Sequence, residues 1–161
     1  MKHFFHTLTL FLFSLSISYA NHAEIIKDKR TNKEWSKILT PSQYEILRND
    51  GTEHAHSSSL NSEYRAGFFV CAACGLELFK SNTKYDSKTG WPSFWQPIKG
   101  HIETKTDWKL FYPRTEYHCT RCGSHQGHIF NDGPKEHGGK RYCNNGIALK
   151  FILYKQEKEN P

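Results

Sequence analysis

Two short repeats constrain this chain more than anything else in it. Cys71-Ala72-Ala73-Cys74-Gly75 and Cys119-Thr120-Arg121-Cys122-Gly123 share both their cysteine spacing and a trailing glycine. Two thiolates separated by two residues reach adjacent corners of a tetrahedron, and the glycine lets the backbone turn beneath them. Two such units together point to a four-cysteine zinc site, one Zn2+ per chain. The pairs are 44 residues apart, longer than the loop of a small zinc ribbon. The metal is therefore expected to clamp two distant strand ends. Disulfides are the alternative. A bridge inside Cys-x-x-Cys closes a small, redox-labile ring, and cross-pairing leaves the repeated glycines unexplained. Four thiolates also saturate the ion, so this zinc is structural and carries no open position for chemistry.

Five cysteines minus these four leaves Cys143, in Arg141-Tyr142-Cys143-Asn144-Asn145. An arginine two residues before a lone cysteine raises the question of a reactive thiolate. The chain around it is 161 residues long, enough for one domain with one sizeable core. Aromatic residues make up 14% of it, too many for a disordered chain. Eleven glycines and six prolines suit strands and loops better than a helical bundle. The formal charge of +6 is interspersed with acids, and no basic run alternates with aromatics as a nucleic-acid groove requires. No nucleic-acid partner is expected.

Residues 1–20 read as a signal peptide. Lys2 precedes the apolar stretch Leu8 to Ile17, and Ser18-Tyr19-Ala20 supplies small residues for cleavage after Ala20. The stretch is short for a membrane span; a retained anchor is the alternative. The expected location is outside the cytoplasm, periplasmic or secreted, with no stable membrane association after cleavage. Residues 21–34 are expected to be a flexible polar lead-in, 35–154 a single folded domain and 155–161 a polar tail. Trp35, Ile38 and Leu39 have helical spacing. Thr40-Pro41-Ser42-Gln43 reads as a helix start, with Gly51 as its C-cap. His54 and His56 lie in a polar loop, where solvation is the plain expectation.

Gly67 to Val70 is a short strand entering the first cysteine pair. Between the pairs, Gly90-Trp91-Pro92-Ser93-Phe94-Trp95 is a loop whose tryptophans either pack on themselves or line an apolar pocket. Ile98 to Tyr112 is expected to supply one or two further strands, with Trp108 to Tyr112 the clearest. After the second pair, His125 and His128 stand three apart around a glycine. Histidines near a thiol hold and deliver a proton near neutral pH; bonding to the metal's cysteines, or a hydrogen-bonded pair in the core, is the alternative. Ile147 to Tyr154 reads as a strand with Ile147, Leu149, Phe151 and Leu153 on one face.

The motifs CAACG, TKYDS, GWPSF, CTRCG, HQGHIFNDGP and RYCNN, in this order, resemble the B-type peptide-methionine sulfoxide reductases, which act on the R epimer. The resemblance covers about residues 35–154. It implies a mainly β fold of the β-tent kind: two antiparallel sheets with short N-terminal helices, stapled by the four-cysteine zinc site. It also implies that Cys143 is the nucleophile on the sulfoxide sulfur. His125, His128 and Asn145 then surround the departing oxygen. Trp91 and Phe130 box the substrate methyl, and Asp132 and Arg141 support the site. The product is methionine plus a cysteine sulfenic acid, and the substrate is oxidised methionine in proteins. Arginine and histidines are expected to favour the thiolate.

Many members of that family carry a recycling cysteine just before the GWPSF motif. Here Thr89 occupies the position. With four cysteines committed to zinc, the sulfenic acid is expected to be reduced directly by an external, thioredoxin-like thiol protein. Asn144, Gly146 and the His54–His56 segment are further departures. Two rivals are a zinc-stabilised binding module with an inert Cys143 and a general thiol–disulfide exchanger; the second needs a partner cysteine that Cys143 lacks. Oligomeric state has no signal in the sequence, and a monomer is the default.

Overall fold

The computed structural model describes residues 24–108 and 112–155. The expected signal segment at 1–20 lies outside these residues. So do 109–111 of the expected strand and 156–161 of the tail.

Two helices open the described chain. α1 (Asn32–Trp35) and α2 (Pro41–Arg48) both start with a full capping box, Thr31 with Glu34 and Thr40 with Gln43. Each box satisfies two backbone donors that a helix start otherwise leaves open. Pro41 sits in the first turn, as the sequence indicates. The end of α2 differs from expectation. Asn49 is the cap, and Asp50 takes the left-handed turn at φ 54°, a conformation that short polar side chains tolerate. Gly51 follows and donates its amide to the Glu45 carbonyl at 3.1 Å. The lead-in is also less loose than expected. The Asp28 amide donates to the Arg121 carbonyl at 2.7 Å, and the Arg30 guanidinium lies 4.0 Å over the Trp35 ring.

The strands are β1 (Gly67–Cys71), β2 (Glu77–Lys80), β3 (Lys84–Tyr85), β4 (Ser93–Phe94), β5 (Ile102–Asp107), β6 (Arg114–Cys119), β7 (His125–Phe130), β8 (Arg141–Asn144) and β9 (Leu149–Leu153). They form the two expected sheets. One has the order β2-β1-β9 and the other β3-β4-β8-β7-β6-β5, with every pair antiparallel. β5 is the strand expected within 98–112; it ends at Asp107, and Trp108 beyond it is exposed. β9 is shorter than expected because Gly146–Ala148 forms a 3-10 turn. Its Leu149 is buried, whereas Leu153 is 53% exposed where the strand leaves the core.

Alternation along the strands divides the larger sheet. Phe94, Tyr117, Ile129 and Tyr142 take one face, in register. They meet the smaller sheet through an aromatic core. Phe79 stacks on Phe94 at 4.1 Å, and Phe69 meets Phe94 edge-on at 4.9 Å. Trp35, Phe69, Phe79, Phe94 and Tyr117 are fully buried. The opposite face carries Arg114, Glu116, His118, His128, Arg141 and Cys143.

Phe79 touches Phe94, Tyr117 and Tyr142, so its loss opens a cavity between the sheets. Phe79→Ala is expected to cost about 3–5 kcal/mol, measured by denaturant unfolding.

Candidate active site

β8 lies between β7 and β4, and the register sets the site. Cys143 is directly opposite His128 on β7 and Ser93 on β4. Directly opposed residues in an antiparallel pair have their Cβ atoms about 4.5–5.5 Å apart, on one face. The close approach depends on Gly127. A Cβ there would lie 1.9 Å from the Cys143 carbonyl oxygen, so only glycine admits β8 at this distance. The same carbonyl accepts from the Tyr117 hydroxyl at 3.3 Å, and that hydroxyl accepts from Asn144 Nδ2 at 2.9 Å.

His125 and His128, three apart, would face opposite ways on a regular strand. The β6–β7 register shifts between Tyr117 and His118, a bulge that inserts one residue and turns His125 to the side of His128. Their rings are 5.4 Å apart. His125 is fully buried. Its Nδ1 is 3.5 Å from Glu116 Oε2, and His118 Nε2 is 3.1 Å from Glu116 Oε1. The Glu116 carboxylate thus sits between two imidazoles. His128 reaches a different acid: its Nε2 is 3.0 Å from Asp107 Oδ2.

A cleft of about 140 Å³ opens over this face, lined among others by Trp91, His128, Phe130, Cys143 and Asn145. Five of the eight expected site residues therefore converge. Trp91 is held by its indole N–H, which donates to the Glu53 carbonyl at 3.1 Å. The Arg141 guanidinium lies 4.3 Å over the Phe130 ring and bonds Asp132 through two contacts of 2.8 and 2.9 Å. Arg141, Asp132 and His125 do not line the cleft. Asn145 does, but both ends of its amide serve backbone groups: Oδ1 accepts from the Glu53 amide at 3.0 Å and Nδ2 donates to the Gln126 carbonyl at 3.1 Å. His54 and His56 are exposed and lie outside this cleft. A larger open groove, about 850 Å³, lies along α2 and residues 57–60. It lacks both cysteine and paired titratable groups of this kind, so size does not select the site.

The electrostatics reverse one expectation. Burial pushes the Cys143 thiol up, and Arg141 opposes the shift without cancelling it. Burial also lowers His128, against the pull of Asp107. Desolvation disfavours the charged form of each, so the resting pair is a neutral thiol beside a neutral imidazole. Asp132 is lowered by its Arg141 bonds.

Cys71, Cys74, Cys119 and Cys122 gather where β1 and β6 end, joining the two sheets. Their sulfurs lie within 4.8 Å of one another, with Cys71–Cys122 at 3.7 Å and Cys74–Cys119 at 3.5 Å. The edge of a tetrahedron with metal–sulfur bonds of about 2.3 Å is about 3.8 Å, so the four fit one metal ion. Gly75 and Gly123 have φ of 75° and 68°. Their amides donate to the Cys71 and Cys119 carbonyls, each at 2.8 Å, rather than to sulfur.

Residues 39–153 match the SelR domain. The peptide methionine sulfoxide reductase MsrB of Methanosarcina barkeri is 46% identical over 132 residues, spanning 81% of this chain and 92% of that one. The chain belongs to this family. The MsrB of Leptospira interrogans is 50% identical over 123 residues, spanning 76% and 93%. The chloroplastic reductase B1 of Arabidopsis thaliana is 47% identical over 130 residues, spanning 80% and 64%.

Within this SelR domain several supporting residues carried no sequence signal. Glu53 is the clearest. Its carboxylate accepts from the Gly146 amide at 2.5 Å and the Ile147 amide at 2.9 Å. Its backbone also holds Trp91 and Asn145. In sequence it is one acid in a polar loop. Thr52 and Arg114 also line the cleft. Thr89 joins a chain of hydroxyls: Thr89–Ser87 at 2.8 Å and Ser87–Ser93 at 2.7 Å. The position of the family's recycling cysteine is thus linked to Ser93, the neighbour of Cys143.

A raised thiol pKa means that the thiolate fraction is small below it and grows as pH rises through it. Iodoacetamide labelling of Cys143 at pH 7 is expected to be slower than the about 3% thiolate of a free cysteine would give. It should accelerate through and above the ordinary thiol range. A rate already at its plateau below pH 7 would contradict this.

Proposed function

We propose that the protein reduces the R epimer of methionine sulfoxide in proteins to methionine, as a repair enzyme. The observation that carries this is Cys143, set opposite His128 in a cleft walled by Trp91 and Phe130. It is also the one cysteine outside the metal cluster. Membership of the MsrB family supports the reaction; the names of the relatives state it of them.

The chemistry suits the cleft. Aromatic surface accepts the substrate methyl, which offers no hydrogen bond. The Cys143 sulfur attacks the sulfoxide sulfur once its proton has left. The sulfoxide oxygen needs a proton to depart, and His128 is the imidazole on the cleft wall. The products are methionine and a sulfenic acid on Cys143. The hydroxyl of Thr89 cannot form a disulfide, which supports direct reduction by an external thioredoxin-like thiol protein. Zn2+ is the proposed ion of the four thiolates, one per chain and structural, since four sulfurs leave no open position. The signal-like residues 1–20 support export to the periplasm or medium, and the protein is proposed to act as a monomer.

The test is a single turnover without reductant on each epimer of a blocked methionine sulfoxide, followed by intact mass. The R epimer is expected to be consumed and the protein to gain one oxygen, with Cys143→Ser inert. Equal consumption of both epimers, or activity in the variant, would refute the assignment. A protein lighter by two hydrogens would refute the external reductant. Metal analysis is expected to find one zinc per chain, with Cys119→Ser losing both zinc and thermal stability.

A further inference from the structure

We infer that Asp107 is a positioning residue that commits Nε2 of His128 and leaves Nδ1 as the nitrogen that moves the proton between Cys143 and the substrate oxygen. The inference rests on the proposed sulfoxide reduction and adds to it the identity of the proton carrier and of the group that orients it.

The geometry begins at the end of β5. Asp107 pairs with Arg114 across β5–β6, and its side chain is 3% exposed. Its Oδ2 lies 3.0 Å from His128 Nε2 and also accepts from Arg114 Nη2. A carboxylate only accepts, so the Nε2 contact requires a proton on Nε2. In the neutral ring Nδ1 is then the lone-pair nitrogen. His128 and Cys143 are cross-strand neighbours lining one cleft, and Nδ1 is the ring nitrogen that Asp107 does not hold. Arg114 balances the Asp107 charge. Asp107 therefore orients the ring without holding it permanently charged, in keeping with the downward shift of His128.

A neutral thiol beside a neutral imidazole can supply the reaction's own proton. Nδ1 takes the proton as the Sγ–H bond breaks, and the thiolate attacks the sulfoxide sulfur. The imidazolium, steadied by Asp107, returns that proton to the sulfoxide oxygen. The attack forms an Sγ–S bond; that bond and the substrate S–O bond then break as the protonated oxygen passes to Cys143 and the Sγ–O bond forms. Cys143 is oxidised by two electrons and the sulfoxide sulfur is reduced by two. Thiol and sulfoxide become sulfenic acid and thioether, with no proton drawn from solvent. His125, buried between His128 and Glu116, lies behind this path.

Two measurements decide the matter. The first is nitrogen-15 NMR of histidine-labelled protein, read at His128 near neutral pH in the reduced wild type. The proton is expected on Nε2; a proton on Nδ1 overturns the inference. This readout needs no activity, so it stands even if the wild type reduces neither epimer, which would overturn the proposed function alone. The second is Asp107→Asn. The Asn amide can donate to Nε2, so the variant is expected to populate the Nδ1–H form. Turnover should fall about 100-fold, the low end for a positioned acid–base group, with KM within about threefold. The groups facing His128 are Asp107 on β5, Arg114 and Glu116 on β6, His125 on its own strand, and Arg141 and Cys143 on β8. Only Asp107 changes, and its loss destabilises the imidazolium, so the histidine limb of the pH profile should move to lower pH. Unchanged turnover and profile in a folded variant overturn the inference. If the variant does not fold, the wild-type tautomer alone decides.

Discussion

Four sulfurs tie the two sheets together where they share no strand. Cys71 ends β1 and Cys119 ends β6, and their partners follow within one turn each. Between the sheets lies a packed aromatic layer centred on Phe79 and Phe94. With one face of the larger sheet committed to that layer, the other is free to carry charge. This division explains how a small domain holds Asp107, Arg114, Glu116, His118, His125, His128 and Arg141 so close together. Each is a poor core residue alone, yet each lies on the face that the apolar core does not use.

Burial of such groups is costly unless they are paired, and here the pairing crosses strands. Asp107 meets Arg114 and His128, Glu116 meets His118 and His125, and Asp132 meets Arg141. Cys143 has His128 and Ser93 as its strand neighbours, and burial raises its thiol further than Arg141 lowers it. On the proposed mechanism, reactivity comes from a proton acceptor held beside Cys143 rather than from a standing thiolate.

Much of this was legible in the sequence. The two Cys-x-x-Cys-Gly units located the clamp, and HQGHIFNDGP and RYCNN supplied the histidines and the cysteine that β7 and β8 set side by side. The capping boxes at Thr31 and Thr40 obey a local rule, and the Thr40 start was read directly. What escaped were features created by pairing. Nothing local to HQGH indicates that a bulge brings its histidines to one side. Asp107 reads as the end of a solvated strand, because its partners lie seven and 21 residues away. Glu53 is silent for the same reason: its acceptors bind amides more than 90 residues later. A strand limit failed where apolar content was taken for pairing, at Ile147, which lies in a 3-10 turn ahead of β9.

Gly127 shows how narrow the tolerance for sequence drift is. The residue has no side chain and carries no reactive atom. Yet the distance between the two strands that hold the chemistry is set by the space it leaves empty. A single methyl group there would have to displace the peptide of Cys143 itself. The end of a flexible side chain can move aside for a new neighbour, but a backbone carbonyl held in a sheet has nowhere to go. The least reactive position in the HQGH motif thus tolerates no side chain at all.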